Sequence, residues 1–297
     1  KNALMNEFEM RELTSDKNGQ MQFLGITINR TKDGLSLNQS GLIVKLLKKF
    51  GMDDSKPVSV PIQPKLALTK GDVENGKYPY KELIGGLMYL MLGTRPDLSY
   101  AVSYFSTFQN AYDERHWTFL KQVLRYLRGT KDLSLVFKKH EDEPLVGYAD
   151  ADFANDVEDR RSVTGYLFKV FGNTVVWRTQ KQPLVTLSSS SAEFVALATA
   201  ATECIFLTRL LKEILVKDNV EPVVIFEDNL STISMATTLE TKKSKHIDVR
   251  FHFLKDLVSD GKIELQHVSS EHQIADLLTK GLSRVMFERL RSMLGLK

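Results

Sequence analysis

Cysteine is nearly absent from this sequence of 297 residues, which contains a single one, Cys204. One thiol excludes an intramolecular disulfide framework and favours a reducing, intracellular compartment. Proline and glycine are few, at 8 and 17 residues, which excludes collagen-like and low-complexity chains. The longest apolar stretch, residues 83–93, is shorter than the roughly 20 residues that cross a bilayer, and no signal-type leader precedes it. We therefore expect a globular intracellular protein without a membrane span.

Charge is distributed unevenly along the chain. Residues 1–140 hold 21 Lys and Arg against 14 Asp and Glu, whereas residues 141–297 hold 19 against 23. A chain of this length is expected to form one large or two moderate domains. A charged, turn-rich stretch at 138–144 lies where the sign of the charge changes, and we place a domain boundary there.

The first half combines a hairpin with helices. Residues 21–29 and 35–38 predict two strands around a turn at 31–34. Helical periodicity follows at 42–50, 80–92, 97–108 and 114–128, with an extended, proline-bounded segment at 57–64. In the last of these helices, Lys121, Arg125 and Arg128 form a basic stripe opposite an apolar face. The stripe is either a solvated charged face or a surface that follows a phosphate backbone.

The second half has a different order of elements. Three predicted strands, at 145–152, 163–171 and 174–179, precede alternating helices and strands. Helices are predicted at 191–203, at 205–215, after Asn229, at 247–259 and from about His272, and strands at 222–227 and 262–268. This order indicates one mixed sheet with helices packed against it.

Several acidic residues occupy positions that belong to the buried side of their elements. The two-residue period of the strand at 145–152 places Asp150 and Asp152 on one face, where they continue an otherwise apolar row. Glu193 shares the apolar stripe of its helix. Asp228 directly follows an apolar strand, and Asp276 lies near the start of the last predicted helix. Acids in these places could converge at one edge of the sheet.

Each acid taken singly also has a structural explanation. Glu193 completes a match to a capping box, Asp228 suits a turn or an N-cap, and Asp276 suits a helix dipole. A cluster is harder to explain in this way, because two carboxylates about 4 Å apart repel by about 4 kcal/mol at an effective dielectric of about 20. Some acids must then be protonated or neutralised by divalent cations. An all-oxygen ligand set suits Mg²⁺ or Mn²⁺, and two such ions can promote phosphodiester displacement.

Ten segments of the chain resemble one family of mobile elements. Those at 146–154, 159–166, 189–197, 226–229, 245–253 and 273–280 resemble, in order, the ribonuclease H end of copia-type retrotransposon Pol polyproteins. Those at 23–25, 83–89, 94–98 and 123–130 resemble the region after the catalytic centre of the polymerase palm in the same family. The resemblance covers essentially the whole chain.

The resemblance implies both a fold and a division into regions. It implies an α+β first half, with a palm-remnant hairpin at 1–38 and a helical region similar to a thumb or connection at 39–140. Residues 141–297 would form an α/β, ribonuclease H-like domain, with a mixed five-stranded sheet and flanking helices.

The resemblance also implies a set of metal ligands. Asp150 in Tyr-Ala-Asp and Glu193 in Ala-Glu-Phe resemble the first and second catalytic metal ligands of the family. Asp228 in Glu-Asp-Asn and Asp276 in Ala-Asp-Leu resemble the third and fourth. Asp152 is a possible fifth acid, and His272 is a possible accessory histidine. The candidate nucleic-acid contacts are basic residues, namely Lys121, Arg125, Arg128, Lys242, Lys243, Lys245, His246 and Arg250.

The implied reaction is Mg²⁺-dependent cleavage of the RNA strand of an RNA–DNA hybrid. Two metal ions, with Mn²⁺ as a substitute, would leave a 5′-phosphate and a 3′-hydroxyl. The implied partner is the upstream polymerase segment of the same polyprotein, with no membrane involved, inside a cytoplasmic virus-like particle. The polymerase centre of the family carries a Tyr-x-Asp-Asp strand, which this sequence lacks, so no polymerase activity is expected from this chain alone.

Two other functions remain open from the sequence. The first is a catalytically idle, nucleic-acid-binding relic, which the basic first half and the missing polymerase centre favour. The second is a strand-transferring integrase with a related sheet, although Glu193 and residues 273–280 fit a ribonuclease H better.

Overall fold

The computed structural model describes residues 5, 7–9, 19–71, 77–139, 145–215, 222–238 and 248–297. Its first sheet is antiparallel, with the strand order β1-β2-β3-β4. The strands are β1 (Gln20–Phe23), β2 (Ile26–Thr31), β3 (Gly34–Asn38) and β4 (Leu135–Lys138). The expected hairpin is the β2–β3 pair. The predicted strand at 21–29 is interrupted, because Leu24 and Gly25 adopt φ values of 49° and 75° and turn the chain between β1 and β2.

The sequence did not predict strand β4, which closes this first sheet. It pairs with β3, so that Leu135 lies opposite Leu37. On its other side Val136 N donates to Gly295 O at 2.9 Å, and Ser134 and Lys297 exchange two backbone hydrogen bonds. The hairpin is therefore bonded through β4 to both the 39–140 region and the last residues of the chain. The proposed domain division stays a prediction.

Four α-helices follow the hairpin: α1 (Ser40–Lys49), α2 (Tyr80–Gly93), α3 (Ser99–Ser106) and α4 (Glu114–Gly129). The predicted helix at 97–108 begins with a 3-10 turn at Pro96–Leu98, before α3. Asp113 caps α4 by accepting hydrogen bonds from the backbone N–H groups of Arg115 and His116, and the backbone N–H of Asp113 donates to His116 Nδ1. The apolar face predicted for α4 is fully buried.

The second sheet is the predicted mixed five-stranded sheet. Its strands are β5 (Leu145–Asp152), β6 (Val163–Val170), β7 (Asn173–Lys181), β8 (Val223–Glu227) and β9 (Ile263–His267). They lie in the order β7-β6-β5-β8-β9. The pairs among β5, β6 and β7 are antiparallel, whereas β8 and β9 run parallel to β5. Flanking helices complete the architecture, and the predicted fold class is confirmed.

The helices of this half are α5 (Ser189–Leu215), α6 (Leu230–Thr237), α7 (Asp248–Ser259), α8 (Asp276–Thr279) and α9 (Arg284–Met293). The two helices predicted at 191–203 and 205–215 are one continuous helix, because no Gly or Pro interrupts the chain near Cys204. The helix predicted from His272 is instead a run of turns followed by the short α8 and then α9.

The length and composition of helix α5 are relevant to the expectation that the chain has no membrane span. Its segment Ser189–Ile214 is long and apolar enough to cross a bilayer by length and composition, with a mean hydropathy of 1.6. Within the protein, 61% of its most apolar window is buried, and the helix packs on β5 and β6. A core helix passes the same test of length and composition, so this feature is weak evidence for a membrane span.

Two apolar cores lie on opposite faces of the second sheet. One contains α5, with Phe194 and Leu197 packed near Ile225. The other is shared by both halves of the chain and joins the helices of the first half to β6, α8 and α9. A hydrogen bond of 3.0 Å from the Trp177 indole to Met91 O also crosses between the halves. The edge of the sheet where β5 and β8 end lies between these two layers.

Candidate metal centre

The ends of two parallel strands create the candidate site. Strands β5 and β8 are paired up to Tyr148 and Phe226, whose rings stack at a centroid distance of 4.8 Å. Asp150 and Asp228 each lie two residues further on, so the strand period keeps both on the face of that aromatic pair. The carboxyl ends of parallel neighbours lie at the same edge of a sheet, which brings the two acids together.

Asp150, Asp228 and Asp276 form the first group of carboxylates. Each has an oxygen within 4.8 Å of the others. Asp150 and Asp276 are buried, and Asp228 is half-buried. The third member comes from α8, which lies so close to β6 that a Cβ on Gly165 would meet Thr279 Cγ2 at 2.6 Å. A glycine at this point of β6 therefore allows α8 to bring Asp276 to the sheet.

Glu193, Glu227 and Asp228 form the second group, again with oxygens within 4.8 Å of one another. Glu193 comes from the first turns of α5, and Glu227 is the last residue of β8. Asp228 belongs to both groups, so the four acids selected from the sequence lie in one continuous cluster. Glu227 is an additional member that sequence reasoning did not select.

Glu193 is held by the strand rather than by the end of its own helix. Its Oε2 accepts a hydrogen bond of 2.6 Å from Ala151 N. The helix start is capped by Ser188, whose Oγ accepts from Ser191 N at 3.2 Å. The capping-box explanation of Glu193 is therefore wrong, because its carboxylate points away from the donors it would have capped and into the acid cluster.

Three neighbouring side chains restrain the acids of the first group. The Thr279 hydroxyl donates to Asp150 Oδ2, and Ser270 Oγ donates to Asp228 Oδ2 at 2.8 Å. Lys280 Nζ lies 2.9 Å from Asp276 Oδ1 and 3.6 Å from Asp150 Oδ2. Thr279 and Lys280 belong to the segment at 273–280 that resembles the family, but the sequence assigned no role to either.

Burial and neighbouring carboxylates raise the pKa of three acids of the cluster, Glu193, Glu227 and Asp276. Burial, followed by the charges of Asp150, Glu227 and Asp228, raises the pKa of Glu193 to about 11. Burial and Asp150 raise the pKa of Asp276 to about 8, although Lys280 acts in the opposite direction. Burial is also the main reason that the pKa of Glu227 lies well above its ordinary value. The cluster is therefore short of positive charge.

Lys280 supplies part of the missing charge. Burial lowers the pKa of its ammonium, but Asp150 and Asp276 outweigh that effect and the net shift is upward. Among the ion pairs of the described residues, this ammonium contacts only Asp150 and Asp276 of the five clustered carboxylates. The oxygen-only donor set and the need for positive charge both fit a hard divalent cation. The residues that could hold it are Asp150, Glu193, Glu227, Asp228 and Asp276.

Asp152 and His272, the possible accessory residues, are not members of either carboxylate group. Asp152 Oδ2 accepts a hydrogen bond from the Asn155 amide, and burial raises the pKa of Asp152. His272 Nδ1 lies 2.9 Å from Ser269 Oγ, and its Nε2 lies 2.9 Å from Arg289 Nη2. Both ring nitrogens of His272 thus contact residues outside the acid cluster.

The basic stripe of α4 partly serves the structure itself. Arg125 Nε donates to Lys56 O at 2.7 Å, and Arg128 Nη1 donates to Ser55 O. Lys121 Nζ lies 6.0 Å from the centre of the Trp117 ring. A further candidate, Arg250, is a half-buried residue of α7. The remaining candidates, Lys242, Lys243, Lys245 and His246, lie outside the described residues.

Glu227 carried a signal that could have been found in the sequence. In the apolar strand β8, the two-residue period places it with Val223 and Ile225, both of which are buried. A carboxylate on the core side of a strand is unexpected without a partner. The same reasoning that selected Asp150 would therefore have selected Glu227.

Comparison with known proteins identifies a curated relative over the whole chain. The chain is 36% identical to the retrovirus-related Pol polyprotein from transposon TNT 1-94 of Nicotiana tabacum, over 307 residues that cover 100% of this chain. It spans only 23% of the length of that polyprotein. No protein-family model matches the chain.

Two solved structures are similar to different extents of the chain. The N-terminal ribonuclease H domain of a Mycobacterium tuberculosis protein matches 50% of this chain and 96% of its own, at 12% identity and a TM-score of 0.36. A foamy viral protease-reverse transcriptase, solved in complex with an RNA/DNA hybrid, matches 85% of this chain and 29% of its own, at 12% identity and a TM-score of 0.48. The order and direction of strands β5 to β9, rather than these scores, identify the second sheet as ribonuclease H-like. The chain is similar along its whole length to a retrovirus-related Pol polyprotein of a plant transposon, which confirms the resemblance to a retrotransposon Pol polyprotein.

Proposed function

We propose that this chain is the ribonuclease H segment of a retrotransposon Pol polyprotein and hydrolyses the RNA strand of RNA–DNA hybrids. The observation that carries the proposal is the convergence of Asp150, Glu193, Asp228 and Asp276. These acids come from two strand ends and two helices, and they share one partly open edge of a ribonuclease H-like sheet. Such a cluster costs folding energy unless it binds cations, so its presence favours a catalytic use.

Two divalent cations, Mg²⁺ or Mn²⁺, are the proposed cofactors. When bound between carboxylates, such ions supply an activated water and stabilise the leaving oxygen of a phosphodiester. The protein contributes ligand positions that are fixed in advance. Thr279 orients Asp150, the backbone of Ala151 orients Glu193, and Ser270 orients Asp228. In metal sites generally, hydrogen bonds from neighbouring groups hold the ligands in position.

Lys280 has a separate part in the proposal. Its ammonium contacts Asp150 and Asp276 and offsets some of their repulsion in the metal-free protein. The side chain is partly exposed, at 34%, so it can also face a nucleic-acid phosphate at the open side of the cluster. Lys280 would thus contact acids within the site and a phosphate at its surface.

The nucleic-acid surface belongs to the same proposal. Basic residues on α4, together with Arg250 on α7, would contact the hybrid through its phosphates, which position a protein without reading sequence. Lys121, Arg125 and Arg128 lie on one half-buried side of α4. The proposed partner is the upstream polymerase segment of the polyprotein, and the proposed location is a cytoplasmic virus-like particle. No polymerase activity is proposed for this chain alone.

The test is cleavage of a hybrid whose RNA strand is labelled, with and without Mg²⁺. We expect Mg²⁺-dependent cleavage by the chain and a loss of about 10³-fold or more in Asp150→Asn and Asp228→Asn. Asp260→Asn is the matched control, because Asp260 is exposed and pairs with Lys262 away from the cluster. Equal cleavage by all four proteins would contradict the proposal. Salt-sensitive hybrid binding without cleavage would identify the chain as an idle relic instead.

A further inference from the structure

We infer that Glu227, with Glu193 and Asp228, forms the second of the two cation sites, an inference that rests on the proposed function. The four acids selected from the sequence do not include Glu227. It adds a fifth carboxylate and divides the cluster into two overlapping groups, with Asp228 shared between them. The first group would hold one cation on the α8 face of the sheet, and the second would hold another on the α5 face.

The position of Glu227 is the first argument. Asp150 and Asp228 follow the register of Tyr148 and Phe226 and lie on one face of the sheet. Glu227 lies on the opposite face, where α5 packs and where Glu193 originates. The pairing of β5 and β8 ends at Tyr148 and Phe226, so the gap beyond them connects the two faces. Glu193 uses this gap to reach Ala151 N.

The unsatisfied oxygen of Glu227 is the second and independent argument. The residue is 0% exposed. Its Oε1 accepts a hydrogen bond of 3.1 Å from Asn229 N, but its Oε2 is buried and has no hydrogen-bond partner within the described part of the chain. A buried carboxylate oxygen without a partner is costly. A bound cation is the ligand that removes this cost and also neutralises Glu193 and Asp228.

A purely structural role for Glu227 explains these observations less well. Its neighbours on the same face of β8, Val223 and Ile225, are apolar and fully buried. An apolar side chain at 227 would continue that packing without any unpaired oxygen. The carboxylate is therefore a stability defect in the metal-free protein, as expected of a ligand and unlike a packing residue.

The experiment is a calorimetric titration of the metal-free chain with Mn²⁺, followed by the same titration of Glu227→Gln. We expect two binding events for the unmodified chain. Glu227→Gln should weaken one event by about tenfold or more, in the range seen when metal-site residues are removed, and leave the other in place. Glu264→Gln, an exposed acid on the adjacent strand β9, should leave both events unchanged.

Thermal unfolding provides a readout that a merely structural residue would not give. In a chelator, Glu227→Gln should unfold at the same or a higher temperature than the unmodified chain, because it replaces a buried carboxyl that is costly to ionise with an amide that cannot ionise. In excess Mn²⁺ its gain in midpoint should be smaller than that of the unmodified chain. If the variant does not fold, Glu227→Asp, which keeps the charge but shortens the side chain, is titrated against the same criteria.

The outcomes separate this inference from the proposed function. Two Mn²⁺ events in both proteins with the same affinities, or one event that Glu227→Gln does not alter, would overturn the role of Glu227 and leave the nuclease proposal intact. A lower midpoint for Glu227→Gln in chelator, with an undiminished gain from Mn²⁺, would also overturn it. The absence of any Mn²⁺ binding by the unmodified chain would overturn both.

Discussion

Buried charge is treated in opposite ways in the two halves of the protein. In the first half, Arg95 and Asp97 are each 1% exposed and form two parallel hydrogen bonds of 2.9 and 2.8 Å. Thr130 accepts two more from Arg95, and Tyr126 donates to Asp97. In the second half, five carboxylates form one cluster, and Lys280 forms ion pairs with two of them, Asp150 and Asp276. The charges of the first arrangement balance each other, whereas in the second the carboxylates outnumber the cation.

This contrast shows how a structural charge can be told from a functional one. A buried ion pair whose polar atoms all have hydrogen-bond partners contributes to a unique fold and needs no bound ion or ligand. The Arg95 pair also connects the halves, because Arg291 of α9 donates to Tyr126 Oη at 3.0 Å. A buried cluster of one sign is stable only with something added from solution. Substitutions within and outside the two clusters test this difference.

Removing one partner of the complete cluster should cause the largest loss of stability. Asp97→Ala leaves the Arg95 guanidinium buried without its counter-charge, and we expect the free energy of unfolding to fall by about 3–5 kcal/mol. Urea denaturation measures this loss. Glu82→Ala is the control, because its partner Lys49 is exposed and such pairs contribute about 0–1 kcal/mol. Similar losses in the two variants would mean that the buried Arg95–Asp97 pair stabilises the fold no more than an exposed ion pair does.

The incomplete cluster should make the metal-free protein sensitive to pH. The pKa of Glu193 is raised to about 11 from an ordinary value of 4.5, so the folded chain keeps a proton that the unfolded chain releases. This stabilisation is present below about pH 4.5 and is lost as the pH rises towards the folded value, by at most about 1.4 kcal/mol per pH unit for this one proton.

Urea denaturation in chelator between pH 5 and pH 9 would measure that slope. We expect Glu193→Gln to flatten it, because the amide does not titrate. Glu264→Gln, on an exposed side of β9, should retain the slope of the unmodified chain. An identical slope in the unmodified chain and in Glu193→Gln would show that burial and the neighbouring acids do not raise the pKa of Glu193 in the folded chain.

Loss of a neighbouring hydroxyl should weaken metal binding without changing any charge. Thr279→Val removes the donor to Asp150 Oδ2 while keeping the shape of the side chain. We expect Mn²⁺ affinity to fall by about 10–100-fold, as for other residues that orient metal ligands, and Thr279→Ser to restore most of it. Calorimetry measures the affinity, and Thr237→Val, at an exposed helix position, is the control. Equal affinity in Thr279→Val would remove Thr279 from the site.

The smallest effect should come from Lys121, a half-buried cation that belongs to neither cluster. Lys121→Ala is expected to weaken hybrid binding modestly and to reduce the slope of log affinity against log salt by about 0.9, the value for one phosphate contact. Fluorescence anisotropy over a range of salt concentrations gives the slope. Lys45, exposed on α1, provides the control variant Lys45→Ala. An unchanged slope for Lys121→Ala would exclude Lys121 from the nucleic-acid surface.

The sequence was most informative where a local period met a buried face. Strand β5 was predicted with its observed bounds, and the apolar stripe of α4 was predicted correctly, because each pattern depends on neighbours in sequence. The four selected acids converge because strand ends and the first turns of helices are placed by the sheet order itself. Glu227 was missed although the same period contained it, because its strand was interpreted as uniformly apolar.

Long-range partners explain most of what the sequence did not predict. Strand β4 has four residues and exists through its pairing with β3 and the last residues of the chain, which no local pattern reports. Arg95 and Asp97 are two positions apart in sequence, but the contacts that complete the buried pair come from the distant Tyr126 and Arg291. The continuous α5 was divided at Cys204 without a physical breaker. Strand β4 and the buried pair depend on tertiary contacts that leave no local signal in the sequence.

The hydrogen bond between Thr279 and Asp150 joins residues that are 129 positions apart. During synthesis, the chain leaves the ribosome at about 5–20 residues per second, so Asp150 would emerge several seconds before its restraint and before Asp276. The acidic site therefore has no complete form in a nascent polypeptide that stops short of α8. Translation order itself would therefore keep an unfinished chain from assembling the full set of acids.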